Sequence, residues 1–424
     1  MKTEKPMRIL YILNSCSGGA TQGIIEMTRN LHRDDFESFF ITPENPTFSQ
    51  KTIFSEVAIE CFTVPMSWWN CKINLPWYWQ CLSWIRDWFK TIGHIKSLYE
   101  ICSIIHKYQI DIVYTNTVLV IDGALAAKIC GIPHIWHLKE WIGQYGRVKF
   151  GIPDRFLVKI LSKLSTYIIV MTDFIGEIFN KYKLGNKIQV IYDGVNIRDF
   201  QGDLRGKILR QELGIPKDNI VIAMSASLSS IWKQHDIFLE MAILLVNQFS
   251  NLEFVAFGSK PQKKINPIYN QPWNYFQRLE EKVNNSILLN NFHWGGFCPN
   301  IPQMMDSIDI LVHPCENEPF GRVVIEAMAA KRPVVGPNKG GIAESVVHQY
   351  TGLLVESSNP KAFAKAVSNI IYDSQLRNKL GMNGYNLVKA RFTIEQHVQK
   401  ITNLYNDIKI NTIENKNNRQ VLRN

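Results

Sequence analysis

The stretch His313-Pro-Cys-Glu-Asn-Glu-Pro-Phe-Gly-Arg-Val-Val-Ile-Glu-Ala-Met-Ala329 decides how this 424-residue chain is read. Before it lies a short apolar run, Ile308-Asp-Ile-Leu-Val312, with the composition of a buried strand. The chain then turns through Pro314 and Pro319, and a helical pattern begins at about Gly321. Val323, Val324, Ala327, Met328 and Ala330 share one face, so that helix buries one side. Glu318 stands before the helix and Glu326 two turns into it. A strand's carboxyl end, a glycine turn and a helix N-terminus together favour an anion, because unpaired N–H groups and the helix dipole both point there. The expectation is a phosphate held by backbone at Phe320-Gly321-Arg322, with Glu318 and Glu326 accepting hydrogen bonds from ligand hydroxyls. A nucleotide sugar carries both kinds of group.

Glu318-Pro-Phe-Gly-Arg-Val-Val-Ile-Glu326-Ala-Met-Ala, with Pro333-Val-Val and Gly340-Gly-Ile-Ala-Glu344 downstream, resembles the Glu-x7-Glu signature of the family 4 retaining glycosyltransferases. The bare spacing is common by chance, whereas Pro-Phe-Gly inside it and Gly-Gly-x-x-Glu after it are specific. The resemblance implies an α/β chain of GT-B fold, two doubly wound Rossmann-like domains facing a central cleft. It also implies transfer of a sugar from a nucleotide diphosphate donor to a hydroxyl, with retention at the anomeric carbon.

The totals agree with a large globular protein. A chain of 424 residues exceeds one ordinary core. Hydrophobic residues are 46% and charged residues 20%, which excludes a disordered chain. A net charge of +10 favours anionic partners, and no basic run or RNA-binding signature singles out nucleic acid. Eight cysteines are scattered singly, with no CxxC and no zinc spacing, as in a reducing cytoplasm. No uncharged apolar stretch reaches the ~18 residues of a membrane span.

Taken in order, Arg8-Ile-Leu-Tyr-Ile-Leu13 reads as a central parallel strand, and a glycine turn at Gly18-Gly19 leads into a helix. That turn resembles the family's N-terminal Gly-Gly turn, where backbone approaches the donor. Residues 66–94 hold six of the eleven tryptophans. Trp77, Cys81, Trp84, Ile85 and Trp88 keep helical spacing, which predicts an amphipathic helix. It suits an anionic membrane surface touched through residues 68–90, an acceptor-binding lid, or packing on its own core. Pro133-His-Ile-Trp-His-Leu-Lys-Glu140 runs from strand into loop, and His137 resembles the family's histidine facing the donor sugar.

Tyr192-Asp-Gly-Val-Asn196 resembles the family's interdomain hinge with Asp and Asn exchanged. The expected domains are 1–196, with the 66–94 insertion, on the acceptor side, and 197–390 on the nucleotide-sugar side. Residues 391–410 are expected to cross back to the first domain. Residues 411–424, rich in Asn and Lys, are expected to be disordered. The loop Ser225-Ala-Ser-Leu-Ser-Ser-Ile-Trp-Lys233-Gln resembles the family's Gly-Arg-Leu-x-x-x-Lys-Gly segment. Lys233 keeps the lysine, while Ser227 replaces the arginine and Gln234 the glycine. Arg322 and Arg198 are candidates to make up the missing charge.

The resemblance thus implies catalytic roles for His137, Lys233 and Glu318. Donor binding falls to Gly19, Lys233, Glu318, Phe320, Gly321, Arg322, Val323, Glu326 and Gly341. Glu326 takes the ribose, Glu318 and His137 orient the sugar, and Lys233 with nearby amides stabilises the leaving diphosphate. No Asp-x-Asp metal signature is present and no cofactor is called for, so a metal-independent hexosyltransferase is expected. UDP is expected more than GDP, with a glycan or lipid-linked acceptor in polysaccharide or cell-envelope synthesis. The expected location is cytoplasmic, with peripheral contact at the inner face of the membrane. Two other readings stay open: a nucleotide-sugar epimerase on the same fold, and a non-catalytic subunit that binds a glycolipid or a partner.

Overall fold

The structure, a computed structural model, describes residues 5–69, 94–143, 148–150, 152–202, 205–266 and 270–421. The chain divides into two compact units: Met1–Gly194 with Ile394–Asn424, and Val195–Thr393.

The first unit is built on a seven-stranded sheet. Its strands are β1 (Met7–Ile12), β2 (Phe36–Thr42), β3 (Glu60–Thr63), β4 (Ile112–Thr115), β5 (His134–Leu138), β6 (Tyr167–Val170) and β7 (Ile188–Val190). They lie in the order β3-β2-β1-β4-β5-β6-β7, every neighbouring pair parallel. Strands covered on both faces have no solvent side to serve, so they read as unbroken apolar runs rather than alternations. In β1, Ile9, Leu10, Tyr11 and Ile12 are all fully buried. The order reverses between β1 and β4, and a ligand crevice forms outside the strands' carboxyl ends at such a switch.

The second unit repeats the plan. Its strands are β8 (Ile220–Ser225), β9 (Leu252–Phe257), β10 (Phe292–Gly296), β11 (Ile310–Val312), β12 (Val334–Pro337) and β13 (Gly352–Val355), in the order β10-β9-β8-β11-β12-β13. All are again parallel, and the order switches between β8 and β11. Ile222, Phe254, Ile310 and Val335 from four strands pack with Phe238, Leu239, Phe363 and Val367 from two helices into one core.

The last helix, Ile394–Val421, packs on the first unit. Its Ile401, Leu404, Tyr405 and Ile408 join Tyr11, Tyr114 and Ile135 in a single cluster. The Tyr11 and Tyr405 hydroxyls meet at 3.0 Å inside it. Disorder over 411–424 is corrected for 411–421, which is helical. The stretch contains neither Gly nor Pro. A helix already nucleated by packing propagates through polar residues at little further cost. The unit boundaries fall at Gly194/Val195 and Thr393/Ile394, two to three residues from those expected. Most of the Trp-rich insertion, 70–93, and with it the expected amphipathic helix, lies outside the described residues. Among the described residues no helix is long and apolar enough to cross a membrane.

The Tyr11–Tyr405 contact ties the C-terminal helix to the sheet. Tyr11→Phe strips the buried Tyr405 hydroxyl of that partner, and the expected loss is about 1–3 kcal/mol. Tyr11→Phe with Tyr405→Phe should lose less than the two single variants summed. Equilibrium urea unfolding of the three variants checks both.

Candidate functional site

The second sheet's switch assembles the quoted motif. β11 ends at Val312, and the chain turns through His313–Pro319 before Gly321 starts the helix Arg322–Ala329. Gly321 has φ 80°, a left-handed conformation that a side chain resists. From the adjacent β8 comes the short 3-10 turn Ile231–Lys233. The two strands that flank the switch therefore bring Lys233 and Glu318 together. Lys233 Nζ donates to Glu318 Oε2 at 2.6 Å, and His313 Nε2 contacts the same oxygen at 3.0 Å.

Glu318 is only 8% exposed. Burial pushes its carboxyl up, but the Lys233 charge and the bonds from His313 and Lys233 override this and hold it well below the usual carboxylate range. Burial in turn lowers His313, partly offset by its bond to Glu318. A carboxylate can only accept, so the shared proton sits on His313 Nε2 and leaves Nδ1 as a bare acceptor.

The turn before the helix is braced by glycines. A Cβ on Gly341 would lie 2.3 Å from the Pro319 carbonyl oxygen and 2.7 Å from Phe320 Cα. The Gly341 N–H donates to the Glu318 carbonyl at 2.8 Å, so it holds the turn instead of facing an expected phosphate. Phe320 is buried and packs against Phe392 at 5.9 Å, which leaves its backbone as the part a ligand could use. Four residues on from Arg322, the Glu326 Oε1 accepts from its Nε at 2.9 Å. Val323, half-buried, sits in the helix's first turn.

His313 Nε2 or Nδ1, Cys315 Sγ and a Glu318 oxygen lie within 4.8 Å of one another, a grouping the sequence spacing did not suggest. The donor set suits a cation poorly. Burial and the Glu318 charge push the Cys315 thiol up, and the Lys233 ammonium already stands at Glu318. His235, first residue of the helix His235–Val246, was also missed; burial pulls it down to about 4. A histidine two residues past the motif lysine was its only signal. Ser227, at the family's arginine position, is exposed and bonds Ser229 Oγ at 2.7 Å. Gln234 takes φ 59°, the left-handed conformation that the family's glycine would adopt freely. Arg198 lies exposed on the 3-10 turn Ile197–Phe200.

The remaining predicted residues belong to the first unit. Gly18, φ 100°, and Gly19 start the helix Gly19–Arg29, and none of the described residues lies within 4 Å of a Cβ at either. His137, in β5, is fully buried. Tyr114 Oη meets its Nδ1 at 2.5 Å, its ring stacks on His397 at 6.4 Å, and its Nε2 has no hydrogen-bond partner among the described residues. Burial, then Lys139, hold it neutral, well below the ordinary histidine value. Nearby, Lys139 Nζ and Asp193 Oδ1 form a buried pair at 2.6 Å.

Two outcomes follow from this geometry. Gly341→Ala must push backbone apart, and thermal unfolding should show a loss of about 1–3 kcal/mol. Glu318, whose folded pKa is depressed, contributes stability above its unfolded value of about 4.3. That contribution is lost as pH falls below this value towards the folded pKa. Urea midpoints measured from pH 6 down to pH 3 should therefore drop more steeply for the wild type than for Glu318→Gln.

The family model for glycosyl transferases group 1 matches residues 207–387, and that for glycosyltransferase family 4 matches residues 17–199. The Bacillus subtilis (strain 168) protein YtcC is 30% identical over 230 residues, 52% of this chain and 54% of that one. The chain thus spans about half of YtcC. An Escherichia coli UDP-Gal:alpha-D-GlcNAc-diphosphoundecaprenol alpha-1,3-galactosyltransferase is 26% identical over 335 residues, 76% of this chain and 81% of that one. Among solved structures, Anabaena Alr3699/HepE in complex with UDP and glucose superposes with a TM-score of 0.75 at 23% identity, over 95% of this chain and 100% of that one. Two parallel switch-point sheets, the Glu318–Glu326 helix start and both family models agree: the chain belongs to the group 1, family 4 glycosyltransferases and has the GT-B fold.

Proposed function

We propose that this chain transfers a hexosyl group from a UDP-sugar to a hydroxyl of a glycan or lipid-linked acceptor, with retention and without a metal ion. The observation that carries the proposal is the Lys233–Glu318 pair at the switch of the second sheet. Lys233 is a cation placed for a diphosphate, and Glu318 is an ionised acceptor placed for sugar hydroxyls. Donor binding splits the pair. Lys233 turns to the leaving diphosphate, and His313 keeps Glu318 ionised while it takes the sugar. Amides of Phe320, Gly321, Arg322 and Val323 at the helix start add fixed partial charge where the leaving group develops its own. Glu326 exchanges Arg322 for the ribose hydroxyls, which frees a second cation for phosphate and offsets Ser227.

UDP as the nucleotide is supported by the UDP complex of HepE and by the UDP-Gal named for the E. coli relative. A lipid-linked acceptor is supported by the diphosphoundecaprenol in that relative's name. The protein then acts in the cytoplasm, in peripheral contact with the inner face of the membrane. Ser227 and Gln234, which depart from the family's arginine and glycine, favour one rival, a non-catalytic glycolipid-binding subunit.

Radiolabelled UDP-sugars incubated with membrane extract separate the two: labelled glycan or lipid supports transfer, and bound but unconsumed donor supports the rival. Lys233→Ala and Glu326→Ala should each lower kcat/KM by about 10²–10³-fold, the scale set by losing one charge-stabilising group. Wild-type rates in both would sink the site. Excess EDTA should leave the rate unchanged, and proton NMR of the product should show the donor's anomeric configuration.

A further inference from the structure

The loop that follows β4 is tied down more heavily than its length explains. Glu140, just past β5, accepts three bonds. Thr117 Oγ1 donates to its Oε1 at 2.6 Å, and the Val118 and Lys139 amides donate to its Oε2 at 3.0 and 3.2 Å. The pinned loop in turn holds aromatic residues. Trp136 Nε1 donates to the Thr117 carbonyl at 2.5 Å, and Trp69 Nε1 to the Val118 carbonyl at 2.6 Å. The Trp69 amide donates to the Leu119 carbonyl at 3.1 Å. On the other flank of the insertion, His94 Nδ1 meets Asp122 Oδ1 at 2.8 Å. Residues on both sides of 70–93 are therefore fastened to the loop 117–121 and to Asp122, which starts the helix Asp122–Cys130 just after it.

That loop lies at the carboxyl ends of the strands. Asn116 takes the Ile12 carbonyl through its amide at 3.0 Å, and its Nδ2 donates to the Ala20 carbonyl at 2.9 Å, beside the Gly18-Gly19 turn. Asn116 Oδ1, in a residue 1% exposed, has no hydrogen-bond partner among the described residues. Along the same edge runs a rim of half-buried aromatic rings. Trp69 packs on Phe150 at 4.6 Å, and Trp141, next to Glu140, packs on Phe174 at 4.9 Å. Both tryptophans lie on the outside of one hydrophobic cluster. A rim of indoles with a few fixed polar groups suits a pyranose ring, whose C–H face is apolar and whose hydroxyls are not.

We infer that Trp69 and Trp141, held in place by Glu140 through the 117–119 backbone, form the subsite for the acceptor's sugar ring. This rests on the transfer reaction proposed above and assigns its second substrate to the aromatic rim of the first unit. Glu140 is a positioning residue: its oxygens are occupied by protein donors, and it acts through Trp69.

The full-length chain can be tested with octyl glucoside, octyl galactoside and octyl N-acetylglucosaminide, by saturation-transfer NMR, with UDP titrated calorimetrically in parallel. The expected result is that the wild type binds at least one glycoside. Trp141→Ala, Trp69→Phe and Glu140→Gln should weaken that binding by about tenfold, as for truncation of a packed aromatic anchor, with UDP affinity unchanged. Unaltered glycoside binding in the variants overturns the proposal. So does a wild type that binds UDP but none of the glycosides, and so does parallel loss of glycoside and UDP binding, which marks these residues as structural. A loss confined to co-sedimentation with phosphatidylglycerol vesicles also overturns it, in favour of a membrane contact. A wild type that binds glycosides but not UDP contradicts the donor reading alone, and the variants still decide the subsite.

Discussion

Glu318 is a carboxylate with little access to water, and it stays ionised because Lys233 and His313 converge on one of its oxygens. A buried charge without such partners would protonate rather than persist. The pair depends on topology. Lys233 follows β8 and Glu318 follows β11, strands that neighbour each other only because the sheet order reverses there. Any arrangement that separated β8 from β11 would leave two uncompensated charges near the core. The second unit's fold and its candidate chemistry are thus one constraint seen from two sides.

The glycines around the pair serve it. Gly340, with φ 65°, and Gly341 let the chain after β12 press backbone to backbone on residues 318–320. That contact fixes the direction in which Glu318 leaves the turn. Gly321 then lets the chain enter the helix Arg322–Ala329 through a left-handed step. In the first unit a different device does the same task. There Glu140 collects Thr117, Val118 and Lys139 around one carboxylate, so a loop is held by a side chain rather than by close backbone packing. Loops pinned in this way keep a site's geometry without adding to the core.

Lys233 has three competing attractions: Glu318, the Trp232 ring 4.0 Å away, and any anion that enters. A compact ammonium on a flexible stem can change partners at modest cost, which a rigid guanidinium fork resists. Where the family carries arginine, Ser227 offers only a hydroxyl already engaged with Ser229. The positive charge in the described part of this edge therefore rests more on Lys233 and Arg322 than the motif alone would suggest.

The sequence by itself determined both sheets and the motif's place on them, because strands buried on both faces must be apolar throughout and because a helix start after a glycine turn is a local signal. It also separated Glu318 from Glu326, whose spacing along one chain segment is fixed. Only tertiary structure decided who meets whom. That Lys233 bonds Glu318 across 85 residues follows from strand order. That Gly341 spends its amide on Glu318 follows from close packing, and that His137 lies beneath His397 follows from where the last helix docks. The helical course of residues 411–421 was hidden for the opposite reason: composition reports what a segment can bury, whereas a helix propagates from a neighbour that is already packed.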